Sequence, residues 1–85
     1  MSATSGKRVL VVDDDQDIRT VLEGVLQRAG FEVHSADTAR RAMRALFETP
    51  LDLVVLDLGL PDLDGLDVLG RIREMTEIRL VVLSG

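Results

Sequence analysis

The sequence predicts an α/β domain built on a parallel sheet, and three observations carry that prediction. Apolar runs alternate with stretches of helical periodicity in the order β-α-β-α-β-α-β. Two of the runs, Val9-Leu10-Val11-Val12 and Leu51-Asp52-Leu53-Val54-Val55-Leu56, stop abruptly at aspartates. The chain has 85 residues, 46% of them hydrophobic, which allows one small core and no second domain.

The elements follow in order. Met1 to Lys7 is small and polar and predicts a disordered head; the folded domain is expected over 8–85. Val9 to Val12 is a β-branched run suited to a strand buried on both faces, and Asp13-Asp14-Asp15 ends it. Ile18, Val21, Leu22, Val25, Leu26 and Ala29 recur at helical spacing, with Asp15 near the start and Gly30 where a left-handed cap would sit. Phe31 to Ala36 alternates as a short strand. Asp37 then precedes a second helical stripe of Ala39, Ala42, Met43 and Leu46, closed before Pro50. The third strand runs from Leu51 to Leu56 and ends in Asp57. A loop with Gly59, Pro61, Asp62, Asp64 and Gly65 leads to a helix marked by Leu66, Leu69 and Ile72 that reaches about Met75. Ile78 to Leu83 is the fourth strand, followed by Ser84 and Gly85.

The carboxylates at the strand ends point to function. Adjacent parallel strands lie about 4.8 Å apart, so only neighbours can aim their terminal side chains at one ion. A site shared by Asp14 and Asp57 therefore requires strands one and three to be adjacent and predicts the order 2-1-3-4. In such sheets the crevice at the switch in strand order, outside the carboxyl ends, is where ligands bind. Clustered carboxylates repel by about 4 kcal/mol per unit pair at 4 Å and an effective dielectric near 20. A hard divalent cation offsets this, and an all-oxygen donor set favours Mg²⁺ or Mn²⁺ over zinc. A carboxylate so neutralised can attack phosphorus and leave an acyl phosphate. Asp15 and Asp17 are read instead as helix-cap or first-turn residues. The spacing Asp13, Asp15, Asp17 imitates a calcium loop, but Ile18 and Gly24 stand where its Gly and Glu belong.

Composition narrows the partners. Fifteen acidic against ten basic residues give a net charge of −5, which argues against direct nucleic-acid binding. The absence of cysteine suits a cytoplasmic protein, and no run approaches membrane-spanning length.

Three segments together resemble the receiver domains of bacterial two-component response regulators. They are Val9 to Asp15, Leu56-Asp57-Leu58-Gly59-Leu60-Pro61-Asp62-Leu63-Asp64-Gly65-Leu66, and Val81-Val82-Leu83-Ser84-Gly85. The resemblance implies a flavodoxin-like receiver fold, with Asp57 as phosphoacceptor and Asp14 as direct metal ligand. Asp13 would hold metal-bound water, the Gly59 carbonyl would complete the protein's share of a Mg²⁺ site, and Ser84 would be the switch hydroxyl that binds the phosphoryl group. It implies a sensor histidine kinase as donor, self-catalysed phosphorylation and later hydrolysis.

The same resemblance calls for a switch lysine, a fifth strand and two further helices, yet no Lys follows Lys7. The expectation is an incomplete receiver, with strand four an exposed apolar edge and one sheet face short of a helix. Such a fragment would hide that surface by homodimerisation or domain swapping, or act as an assembly module without phosphotransfer. An aspartate-nucleophile phosphatase is the enzyme rival, but Gly59 occupies the position of its general acid. Of the remaining residues, His34 is read as structural, Arg40, Arg41 and Arg44 as a solvated helix face, and Met43 and Phe47 as packing residues.

Overall fold

The four apolar runs pair as parallel strands in the order β2-β1-β3-β4 expected from a site shared by the first and third. The structure is a computed structural model and describes residues 6–57 and 65–83. Its elements are β1 (Arg8–Val12), α1 (Gln16–Arg28), β2 (Glu32–Ala36), α2 (Ala39–Glu48), β3 (Leu53–Asp57), α3 (Gly65–Met75) and β4 (Arg79–Leu83).

Crossover handedness distributes the helices. The chain steps from β1 to β2 in one direction and from β2 through β3 to β4 in the other. Right-handed connections therefore put α1 on one face and α2 with α3 on the opposite face. The pleat sorts side chains accordingly. Leu10, Val12, Val54 and Leu56 meet Ala39, Ala42, Val68 and Ile72 in one buried cluster, with Met43, Leu46 and Leu80 at its margin. Val9 and Val11 point the other way and are also fully buried, as a continuous apolar run requires.

Three strands start later than the apolar runs suggest, and in each case an amide at the edge of the ladder is taken by a group outside it. Phe31 donates to the Leu26 carbonyl at 3.1 Å and Gly30 to Gln27 at 3.0 Å, closing α1 with a left-handed Gly30 at φ 99°, so β2 begins at Glu32. The Asp52 N–H donates to the Arg8 carbonyl at 2.8 Å, but the Arg8 N–H turns to the Asp52 carboxylate at 2.8 Å, and β3 begins at Leu53. Thr76 Oγ1 accepts from the Ile78 amide at 3.2 Å, and β4 begins at Arg79. Lys7 accepts the Glu32 N–H at 2.8 Å through its carbonyl, which ties the end of the head to β2.

Helix starts follow cap chemistry. Asp15 Oδ1 accepts from the amides of Asp17 at 2.9 Å and Ile18 at 3.3 Å, and Thr38 caps α2, its Oγ1 accepting from the Arg41 amide at 3.2 Å. Asp15→Ala is expected to lower stability by about 1 kcal/mol, with most of the loss recovered in Asp15→Asn. Thermal unfolding of the two variants checks this; equal midpoints for Ala and the unaltered chain would contradict it.

Phe47 is not a packing residue: it is 80% exposed. It lies seven residues after Arg40 and three after Arg44, on the polar line of α2, whereas Ala39, Ala42, Met43 and Leu46 form the buried stripe. On α1, Val21 and Val25 are exposed, as are Val81 and Val82 on β4.

Candidate metal centre

β1 and β3 lie side by side with Val12 opposite Leu56, so the residues that end them, Asp13 and Asp57, face each other across the sheet. Asp14 follows in the connection to α1. One carboxylate oxygen from each of Asp13, Asp14 and Asp57 lies within 4.8 Å of the others. Asp13 is buried, Asp57 half-buried and Asp14 exposed. This is the trio expected from the strand ends, and among the described residues it is the one group of three such ligands so placed. Gly59 and Ser84 lie outside the described residues, as does the whole segment from Leu58 to Asp64.

Asp13 is held at three points. Its amide donates to the Ala36 carbonyl of β2 at 3.1 Å. Its Oδ1 accepts the Asp15 N–H at 2.9 Å, forming an Asx turn that bends the chain out of β1. Its carbonyl accepts from Arg19 Nη1 at 2.6 Å. One carboxylate oxygen is thereby committed to the loop while the group stays oriented by its own backbone. Sequence reasoning left Arg19 out; its only signal is its place one turn into the helix that follows the acidic strand end.

Burial is the largest influence on the Asp13 carboxyl and pushes its pKa up. The Asp15 amide opposes this, while the charge of Asp57, a hydrogen bond to Asp57 and the charge of Asp14 add to the rise. The native state without metal thus holds this proton more tightly than the unfolded chain. Stability conferred by the proton is present at low pH and falls as pH rises from the unfolded pKa through the raised native one. Asp13→Asn should therefore be more stable than the unaltered chain at neutral pH without metal, and should flatten the decline. Urea unfolding across that range in a chelator tests the sign; a less stable Asn variant would contradict it.

A divalent ion suits this arrangement. Full charges 4.8 Å apart repel by about 3–4 kcal/mol per pair at an effective dielectric near 20, and the donors are all hard oxygens. The other polar groups singled out have structural partners. Glu32 Oε2 takes both Arg8 Nε at 2.6 Å and His34 Nε2 at 2.9 Å. These partners, His34 first, hold the exposed Glu32 carboxyl below its usual pKa. Arg41 pairs with Asp37 at 2.8 Å on an exposed helix face. No helix among the described residues is long and apolar enough to cross a membrane.

The fold agrees with comparisons to known proteins. A family profile described as "Response regulator receiver domain" matches residues 9–85. The transcriptional regulatory protein KdpE of Mycobacterium tuberculosis is 46% identical over 76 residues, which are 89% of this chain and 34% of KdpE. GltR of Pseudomonas aeruginosa, also a transcriptional regulatory protein, is 47% identical over 86% of the chain and 30% of its own length. The chain thus spans about a third of the length of the curated relatives it matches. Among solved structures, the response regulator TrrA from Thermotoga maritima in complex with Mg(2+)-BeF superposes with a TM-score of 0.87 at 38% identity, covering 92% of this chain and 69% of that one. TrrA in complex with the histidine kinase ThkA gives the same TM-score and identity over 93% and 69%.

Proposed function

This chain belongs to the response regulator receiver domain family, and on that premise we propose that it takes part in a phosphorelay by accepting a phosphoryl group on Asp57. One observation carries the reading: the carboxylates of Asp13, Asp14 and Asp57 converge within 4.8 Å at the ends of β1 and β3. A sensor histidine kinase is the proposed donor. An Asp57 carboxylate oxygen attacks the phosphorus of the phosphohistidine, the P–O bond forms as the P–N bond breaks, and the departing imidazole nitrogen takes up a proton. Water later cleaves the acyl phosphate.

Asp13, Asp14 and Asp57 would hold Mg²⁺, or Mn²⁺, with the Gly59 carbonyl as a further ligand and the Ser84 hydroxyl facing the phosphoryl group. Bound there, the ion supplies charge neutralisation for the attacking carboxylate and the phosphoryl oxygens. Asp13, fixed by β2 and the Asx turn, orients the site, and the exposed Asp14 leaves it open to solvent and donor. Support comes from TrrA, solved both with Mg(2+)-BeF and with a histidine kinase. We place the domain in the cytoplasm and assign any output to other parts of a longer protein; the names of KdpE and GltR support transcription as that output.

The test is intact mass after incubation with acetyl phosphate. An adduct that requires Mg²⁺ and disappears in a chelator is expected; no adduct under either condition would leave the domain as a binding or assembly module. The exposed Val81 and Val82 favour a second property, self-association of the 85-residue chain through β4 by edge pairing or domain swapping. Sedimentation should then show a concentration-dependent dimer, and a compact monomer throughout would exclude it.

A further inference from the structure

We propose that Arg19 is a positioning residue for the metal site, acting through the backbone of Asp13. The inference rests on the Mg²⁺-binding reading above. Side chains on a helix lean toward its N-terminus. Arg19, in the first turn of α1, therefore reaches back over the Asp15 cap to the end of β1. There its Nη1 donates to the Asp13 carbonyl at 2.6 Å, a short, charge-assisted bond made by a half-buried side chain.

Two other bonds hold Asp13. Its amide is tied to Ala36 at 3.1 Å and its Oδ1 to the Asp15 amide at 2.9 Å. The carbonyl is the remaining backbone handle, and it belongs to the peptide unit that leads into Asp14. A guanidinium on that carbonyl fixes the rotation of the Asp13–Asp14 peptide, and with it the direction in which both carboxylates leave the chain. Without it the peptide can turn, and the three oxygens need not stay within reach of one ion. Arg19 also brings a permanent positive charge close to a segment in which four of the five residues from Asp13 to Asp17 are acidic. Groups that orient metal ligands from behind are typically worth about 10- to 100-fold in affinity.

The experiment is calorimetric titration with Mg²⁺ alone, together with the unfolding midpoint in chelator, for the unaltered chain and three variants. Arg19→Gln is expected to bind Mg²⁺ about 10-fold more weakly or worse. Arg19→Lys, which keeps the charge and can still donate but lacks the rigid planar fork, should fall between the two. Thr20→Val removes the Thr20 Oγ1 bond to the Gln16 carbonyl, 2.9 Å long, and so perturbs α1 one residue from Arg19 without touching Asp13; its affinity should be unchanged. Unchanged affinity in Arg19→Gln, or an equal loss in Thr20→Val, would overturn the role of Arg19 and leave the site itself standing. If Arg19→Gln does not fold, Arg19→Lys decides: weaker binding on a folded chain upholds the role and unchanged binding overturns it. No Mg²⁺ binding by the unaltered chain would instead remove the metal-site reading, and the inference with it.

Discussion

Asp57→Asn is expected to reduce phosphate-adduct formation with acetyl phosphate and Mg²⁺ to background. The asparagine amide keeps the shape of the carboxylate but is no nucleophile, so the step that forms the acyl phosphate has no attacking atom. The variant also removes one of three charges whose oxygens lie within 4.8 Å of each other, so it should fold at least as well as the unaltered chain without metal. Loss of adduct on a well-folded protein thus isolates chemistry from stability. Asp14→Asn separates the roles further: the acceptor remains while a proposed ligand is lost, so the adduct should form slowly and need more Mg²⁺. An undiminished adduct in Asp57→Asn would move the acceptor elsewhere.

The second large effect is on stability. Leu10 sits on the central strand β1, fully buried in the cluster that joins the sheet to α2 and α3. Leu10→Ala should cost about 2–5 kcal/mol, because the rigid neighbours Val54, Ala42 and Ile72 cannot close over the cavity. A domain of 85 residues has a total stability of roughly 4–13 kcal/mol, so this is a large share of it. The unfolding midpoint should fall by roughly 10 °C or more. Val25→Ala, at a 57% exposed position on α1, should change stability by no more than about 0.5 kcal/mol. Comparable losses in the two variants would mean that the core does not lie between β1 and the α2–α3 layer.

How much of this was legible in the sequence depends on the physics behind each feature. Val9 to Val12 followed by Asp13, and Val54 to Leu56 followed by Asp57, announce strands buried on both faces and ended by charge. The need for Asp14 and Asp57 to share an ion then fixes strands one and three as neighbours, and the observed order agrees. Strand starts were less legible, because they depend on which group takes one particular amide. The Leu26 carbonyl, the Asp52 carboxylate and Thr76 Oγ1 each remove a residue or two from the ladder edges. Phe47 shows that composition misleads where helical phase decides: an aromatic one position off the buried stripe is left in water. Arg19 escaped notice because its partner is a backbone carbonyl, and a main-chain acceptor leaves no trace in residue types.

The position of the phosphoryl group can be read directly. Borohydride reduces an aspartyl phosphate to homoserine, so treatment of the phosphorylated chain followed by peptide mass spectrometry reads the acceptor by position. Homoserine is expected at position 57, dependent on Mg²⁺, with Asp13 and Asp14 unmodified. Homoserine at 13 or 14 with Asp57 intact would contradict Asp57 as the acceptor.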